Sequence, residues 1–161
     1  MKYITNILAA IVLTACSSID CSLNHVVHSQ YAFWNENGEL QMLHDTLSVS
    51  IHTSDGRDSV LLNRGVELNS FSLPMSYTAD TDTLFFRFTP TGGMASICDT
   101  VLVSKTNTPH FESVECEPNY FHTITEVSYT HHYIKSIAIN NIDVNYDTTK
   151  PHILLTIPAN N

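Results

Sequence analysis

Thr46-Leu47-Ser48-Val49-Ser50-Ile51-His52 is the stretch that decides the fold. Leu47, Val49 and Ile51 fall on one side of an extended chain, and Ser48, Ser50 and His52 on the other. That two-residue period belongs to a strand with one buried and one wet face. Residues 83–89 repeat it, with Leu84, Phe86 and Phe88 opposite Phe85. Nowhere does the chain sustain the period of an amphipathic helix.

On the C-terminal side, Asp55-Gly56 turns the chain into a strand over residues 59–62, which Asn63-Arg64-Gly65 is expected to end. Residues 70–77 alternate Phe71, Leu73, Met75 and Tyr77. Pro74 lacks a ladder donor, which predicts a sheet edge or a bulge there. After the turn Pro90-Thr91-Gly92-Gly93 comes a strand over 96–104, ended by Asn107-Thr108-Pro109, and a long loop over 110–120. Strands follow at 122–129, 133–139 and 152–157, with an Asn- and Asp-rich connection over 140–149. On the N-terminal side, residues 26–34 and 39–43 flank Asn37-Gly38, a strong hairpin signal. About eight to ten short antiparallel strands at this spacing predict an all-β chain, an immunoglobulin-like or transthyretin-like β-sandwich, with a barrel as runner-up. Asp45-Thr46-Leu47, Asp82-Thr83-Leu84 and Asp99-Thr100-Val101 read as recurrent turn-to-strand boundaries.

The first 15 residues have a different texture: Lys2, an apolar core over 7–13, then small residues before Cys16. The core is about half of the roughly 20 apolar residues a spanning helix needs, which argues for a secretory signal rather than a membrane span. Leu13-Thr14-Ala15-Cys16 has the form of a lipobox, in which Cys16 is acylated and the chain cut before it. An ordinary secreted protein, with Cys16 in a disulfide, is the competing reading. Several acyl tails on one cysteine, at ~0.8 kcal/mol per buried methylene, make a lasting anchor. The expected organisation is a lipoprotein signal peptide (1–15), a lipid anchor and tether (16–24) and a single β domain (25–161).

Removing 15 of the 161 residues leaves 146, enough for one domain with its own core. The formal net charge of −9 becomes −10 with Lys2 gone. No basic cluster offsets it, so nucleic-acid binding is excluded as a working class. With Cys16 acylated, Cys21, Cys98 and Cys116 remain. In an oxidising envelope, three thiols make one pair and an odd one. Cys21 and Cys116 lie in polar, irregular stretches and Cys98 in a strand, so Cys21 with Cys116 is the expected disulfide. Cys98 with either partner, or three free thiols, are the alternatives.

The nine histidines have no metal-ligand spacing: no His-x-His, no helical pair, no Cys-x-x-Cys. The acidic turns at 55–58 and 80–82 lack the calcium-loop series. Serine elbows, activated thiols, paired carboxylates and phosphate-cradling loops are also absent, and no metal, cofactor or catalytic residue is expected. Trp34, Tyr31, Tyr77, Tyr120, Tyr129 and Tyr133 offer an aromatic platform for sugars or peptides, although most such residues pack in cores. Tyr129, His131, His132 and Tyr133 are the expected contact surface, at the tip of a hairpin turning about Thr130.

The chain resembles a family of small uncharacterised lipoproteins of Bacteroidetes-type Gram-negative bacteria, a domain of unknown function. The resemblance rests on Ser18-Ile19-Asp20-Cys21-Ser22-Leu23-Asn24, Asp58-Ser59-Val60-Leu61-Leu62-Asn63, Phe71-Ser72-Leu73-Pro74-Met75-Ser76-Tyr77 and Asn107-Thr108-Pro109-His110-Phe111. Phe121-His122-Thr123-Ile124 and residues 140–146 belong to it as well. It implies a lipid-anchored β domain and no established activity; Cys98 falls outside the pattern, which fits the odd thiol. The resulting expectation is a non-enzymatic binding or structural module of the cell envelope, lipid-anchored and palmitate-bearing. Its place is the outer membrane facing the periplasm, because Ser17-Ser18-Ile19-Asp20 lacks a run of acids, and its partner an envelope protein. A surface glycan-binding or adhesive subunit is the alternative, and a hydrolase with loop-assembled residues a more distant one.

Overall fold

The computed structural model describes Cys21 and residues 26–53 and 56–159. The signal segment, Cys16 and most of the tether lie outside the described residues.

Ten strands alternate with turns: β1 (His28–Trp34), β2 (Thr46–His52), β3 (Asp58–Gly65), β4 (Ser70–Pro74), β5 (Thr81–Thr89), β6 (Ile97–His110), β7 (Asn119–Tyr129), β8 (Ser136–Ile139), β9 (Asp143–Val144) and β10 (Ile153–Thr156). They form a sandwich of a four-stranded sheet, order β4-β1-β10-β8, and a six-stranded sheet, order β3-β2-β5-β6-β7-β9. The fold is all-β, as the alternation predicts. Among the described strands, pairing is antiparallel except where β1 runs parallel to β10, Tyr31 opposite Ile153 and Phe33 opposite Leu155; the isolated bridge of Val26 to Tyr120 is parallel as well.

The inward residues of β2, β5 and β6, namely Leu47, Val49, Leu84, Phe86, Phe88, Val101 and Val103, meet Tyr31, Phe33, Phe71, Leu73, Ile153 and Leu155 of the other sheet. Tyr31 and Phe71, a cross-strand pair, stack at 5.0 Å, with Phe86 edge-on to Phe71. Truncating a ring buried like Phe86 costs about 3–5 kcal/mol. β4 lies at a sheet edge and ends on Pro74, the position its missing donor demands.

Local turn chemistry misleads in several places. Asn35-Gly38 does turn, with Gly38 at φ 78°, but residues 39–43 form no strand beyond the bridge of Trp34 to Leu40. Leu43 is instead drawn into the core and bridges Leu68, while β1 takes β4 and β10 as partners. Asn63-Arg64-Gly65 stays paired to β2 as a bulged end of β3, Gly65 opposite Leu47, so the strand runs past Leu62: Arg64 takes φ 52° and donates its N–H to Ser48 Oγ at 3.2 Å. β6 runs on through Pro109 to His110. Beyond the Lys105 N–H bond to Asp80 O, its pairing is to β7 alone, so a missing N–H is tolerated. The loop to β7 shrinks to 111–118, and β9 forms inside the Asn- and Asp-rich connection.

The largest departure is at Thr130. β7 belongs to the six-stranded sheet and β8 to the four-stranded one, so residues 130–135 are an arch between sheets rather than a hairpin tip. Asp99, buried in β6, holds the arch. Its carboxylate accepts the Thr130 hydroxyl at 2.7 Å and the N–H groups of His132, Tyr133 and Ile134 at 2.8 Å each. The three Asp-Thr triplets therefore share a different feature: each aspartate holds a distant part of the chain. Asp45 accepts the Tyr133 hydroxyl, Asp82 pairs with Lys105, and Asp99 holds the arch.

Cys21 and Cys116 form the expected disulfide, with Cys98 free and exposed. A sequence separation of 95 corresponds to about 4.7 kcal/mol of loop-closure stabilisation in the chain-entropy picture. The bond fixes the chain just before the domain to the β6–β7 loop.

Candidate functional site

The narrower sheet leaves part of the wider one uncovered. On the flank where β3 and β4 are the two sheet edges, a groove of about 690 Å³ opens between the sheets. Ile51 and Leu61 supply its accessible apolar surface over the buried Met75 and Leu84, and Asp82, Thr81 and His52 are polar points along it. Residues 74–79, running from the end of β4 to β5, wall one side, with Val26 beside them.

A buried ion pair fastens that wall. Lys105 lies in β6 in the same register as Val101 and Val103, so its side chain enters the sandwich and is fully covered. Nζ sits 3.0 Å from Asp82 Oδ1 and donates to Ala79 O at 2.8 Å. Asp82 Oδ2 accepts the Ser76 N–H, and Asn107 Nδ2 donates to the same Ala79 carbonyl at 3.1 Å. Burial raises the Asp82 pKa against the lowering effect of Lys105, and the net direction is upward.

Next to this network His122 is buried, its Nδ1 2.7 Å from Asn107 Oδ1 and its Nε2 without a partner among the described residues. Burial first, and the nearby Lys105 charge second, push its pKa down to about 4, so the ring is neutral at pH 7. A bulge puts it there. Ser104 pairs with Glu126 but Lys105 pairs with Ile124, leaving Thr125 as the extra residue that turns Ile124 and His122 inward. His152 is also buried and neutral: Nδ1 accepts the Gln30 N–H at 2.8 Å, which leaves Nε2 to donate to Asp143 O at 3.2 Å. Burial lowers its pKa as well.

At the groove rim, His52 forms an exposed pair with Asp58 and packs against Phe85 at 4.5 Å. Among the described residues no three His, Cys, Asp or Glu side chains converge as a metal site would require.

The residues singled out in the sequence are spread over the arch. Tyr133 stacks on Phe88 at 4.0 Å and donates its hydroxyl to Asp45 at 2.8 Å, so its ring braces the core. Burial, then Asp45, raise its pKa. His132 is exposed, with Nδ1 3.1 Å from Asp99 Oδ1. Tyr129 and His131 lie together at 4.4 Å, with His131 exposed. Elsewhere, Tyr31 is in the core, Tyr77 stacks on Tyr120 at 4.9 Å near the groove, and His110 stacks on Phe121 at 4.3 Å. Sequence reasoning missed the groove and its ion pair. The signal lay in the register: Asp82 shares a parity with Leu84 and Phe86, and Lys105 with Val101 and Val103.

Residues 46–157 match the model of a family described as of unknown function, DUF6452. No curated protein and no solved structure matches the chain.

Proposed function

Since the chain belongs to the family of unknown function DUF6452, we propose from its geometry that it is a lipid-anchored, non-enzymatic binding module of the cell envelope, whose groove takes an extended apolar segment of a protein partner. One observation carries this reading: the groove lies on the flank where both sheets expose an edge strand, β3 and β4. Edge strands offer unpaired backbone groups to an added strand, and the half-buried Ile51 and Leu61 offer apolar surface to its side chains.

The anchor rests on the lipobox at Cys16, in the manner of Bacteroidetes-type lipoproteins, and the tether, with Asp20 but no run of acids, favours retention at the outer membrane facing the periplasm. With Cys21 joined to Cys116, the acylated residue sits five positions before a fixed point, within about 18 Å of extended chain. The module is thereby held close to the bilayer. Intact mass of protein extracted from membranes tests the anchor: acylated Cys16 at the N-terminus is expected, and any other N-terminus removes it. Recovery of one partner from detergent extracts by the wild type, lost in Leu61→Arg at unchanged thermal stability, tests the groove. Equal recovery by both proteins removes it.

A further inference from the structure

The outer face of the four-stranded sheet carries a second concavity, of about 420 Å³, on the side of β1 and β10 away from the core. Trp34 is at one side of it; Leu154 and Ala138 give an apolar floor; Ser136 and Thr156, paired across β8 and β10, place hydroxyls beside it. Glu36 and Lys135 close the rim, joined at 2.6 Å. Gly38 lies against the indole: a Cβ there would meet the ring at 3.6 Å, and its φ of +78° already disfavours any other residue.

We propose that this depression binds one neutral pyranose ring of a glycan. The half-exposed indole offers a flat apolar surface to the C–H face of a sugar. The salt-bridged rim and the two hydroxyls offer donors and acceptors to equatorial hydroxyls without presenting net charge. That balance excludes an ion as the intended ligand, and the chain's overall charge of −9 opposes an acidic sugar. The small side chains of Ser136 and Ala138 leave the room, and the volume lies within the roughly 300–1,000 Å³ typical of ligand pockets. Trp34, rather than the expected Tyr129 to Tyr133, is thus the aromatic contact for a sugar. This site is separate from the groove between the sheets, and either can fail without the other.

Trp34 is the only tryptophan in the chain, so its emission reports on this site alone. The experiment titrates the folded protein with di- and trisaccharides of glucose, galactose, mannose and N-acetylglucosamine and follows that emission. A saturable change with at least one of them, half-complete at or below about 1 mM, is expected. Ser136→Arg, which fills the depression without touching the core, is expected to weaken it at least tenfold at an unchanged denaturation midpoint, and Glu36→Gln by several-fold. Leu61→Arg, in the groove, leaves it unchanged. No saturable response from any of the sugars up to about 10 mM, or a response that survives Ser136→Arg, overturns the proposal.

Discussion

The carboxylate of Asp99 receives the backbone N–H of Ile134 at 2.8 Å, joining the start of β6 to the arch that carries the chain from one sheet to the other. With the N–H groups of His132 and Tyr133 on the same carboxylate, Asp99 replaces the backbone ladder that an arch cannot have. Asp99→Ala leaves those donors unsatisfied and is expected to cost about 3–5 kcal/mol, whereas Thr130→Ala, which removes one hydroxyl, costs about 1 kcal/mol. Urea midpoints of the two variants give the comparison. Burial alone would raise the Asp99 pKa, but its combined donors hold it below the ordinary carboxylate value. Its contribution is therefore complete above about pH 4 and lost as pH falls through the folded pKa.

Lys105 and Asp82 form the second long-range tie. Lys105→Met strands Asp82 beside an apolar core and is expected to destabilise by about 3 kcal/mol, while the double variant Lys105→Met, Asp82→Leu recovers part of that loss. A double-mutant cycle from denaturant unfolding measures the coupling. Single and double variants of equal stability would show that the pair contributes packing alone.

Acid sensitivity follows from the buried histidines. The folded-state pKa of His122, about 4, lies below its ordinary value of 6.5, so the unfolded chain binds the proton first. Stability is complete above pH 6.5 and falls as pH drops towards 4, by up to about 3 kcal/mol from this group. His152 acts in the same direction. Unfolding midpoints between pH 7.5 and 4.5 are expected to decline, less steeply in His122→Gln. An identical slope in that variant would exclude His122 as the source.

The cysteines give a count with two readings. The exposed Cys98 labels with maleimide in the native protein, and Cys21 and Cys116 label only after reduction. Protein extracted from membranes is expected to show one native adduct by mass, because an acylated Cys16 cannot react. A second native adduct would mean that Cys16 carries a free thiol.

β2 and β5 were legible because strict alternation over seven or more residues has no competing interpretation, and β4 was legible as an edge because a proline leaves few positions open. The arch was not legible. Residues 130–135 carry no glycine or proline to set them apart from a hairpin turn, and the acceptor that shapes them lies more than thirty positions away. Asn107-Thr108-Pro109 has the composition of a stop, because turn residues cannot show whether a strand still has a neighbour on both sides. The bulge at Thr125 reversed the facing of His122, which alternation counted from Tyr129 places outside. The disulfide was legible from context, since strand texture around Cys98 set it apart from the other two thiols.

Photocrosslinking in living cells that produce the protein tests the groove's role most directly, with a benzophenone amino acid placed in turn at Leu61, at Thr78 and, as control on the outer face of the six-stranded sheet, at Ser128. A single partner captured from Leu61 and Thr78 but not from Ser128, through one extended apolar peptide, is the predicted result. Equal capture from all three positions, or none from the groove positions in protein that reaches the membrane, would contradict it.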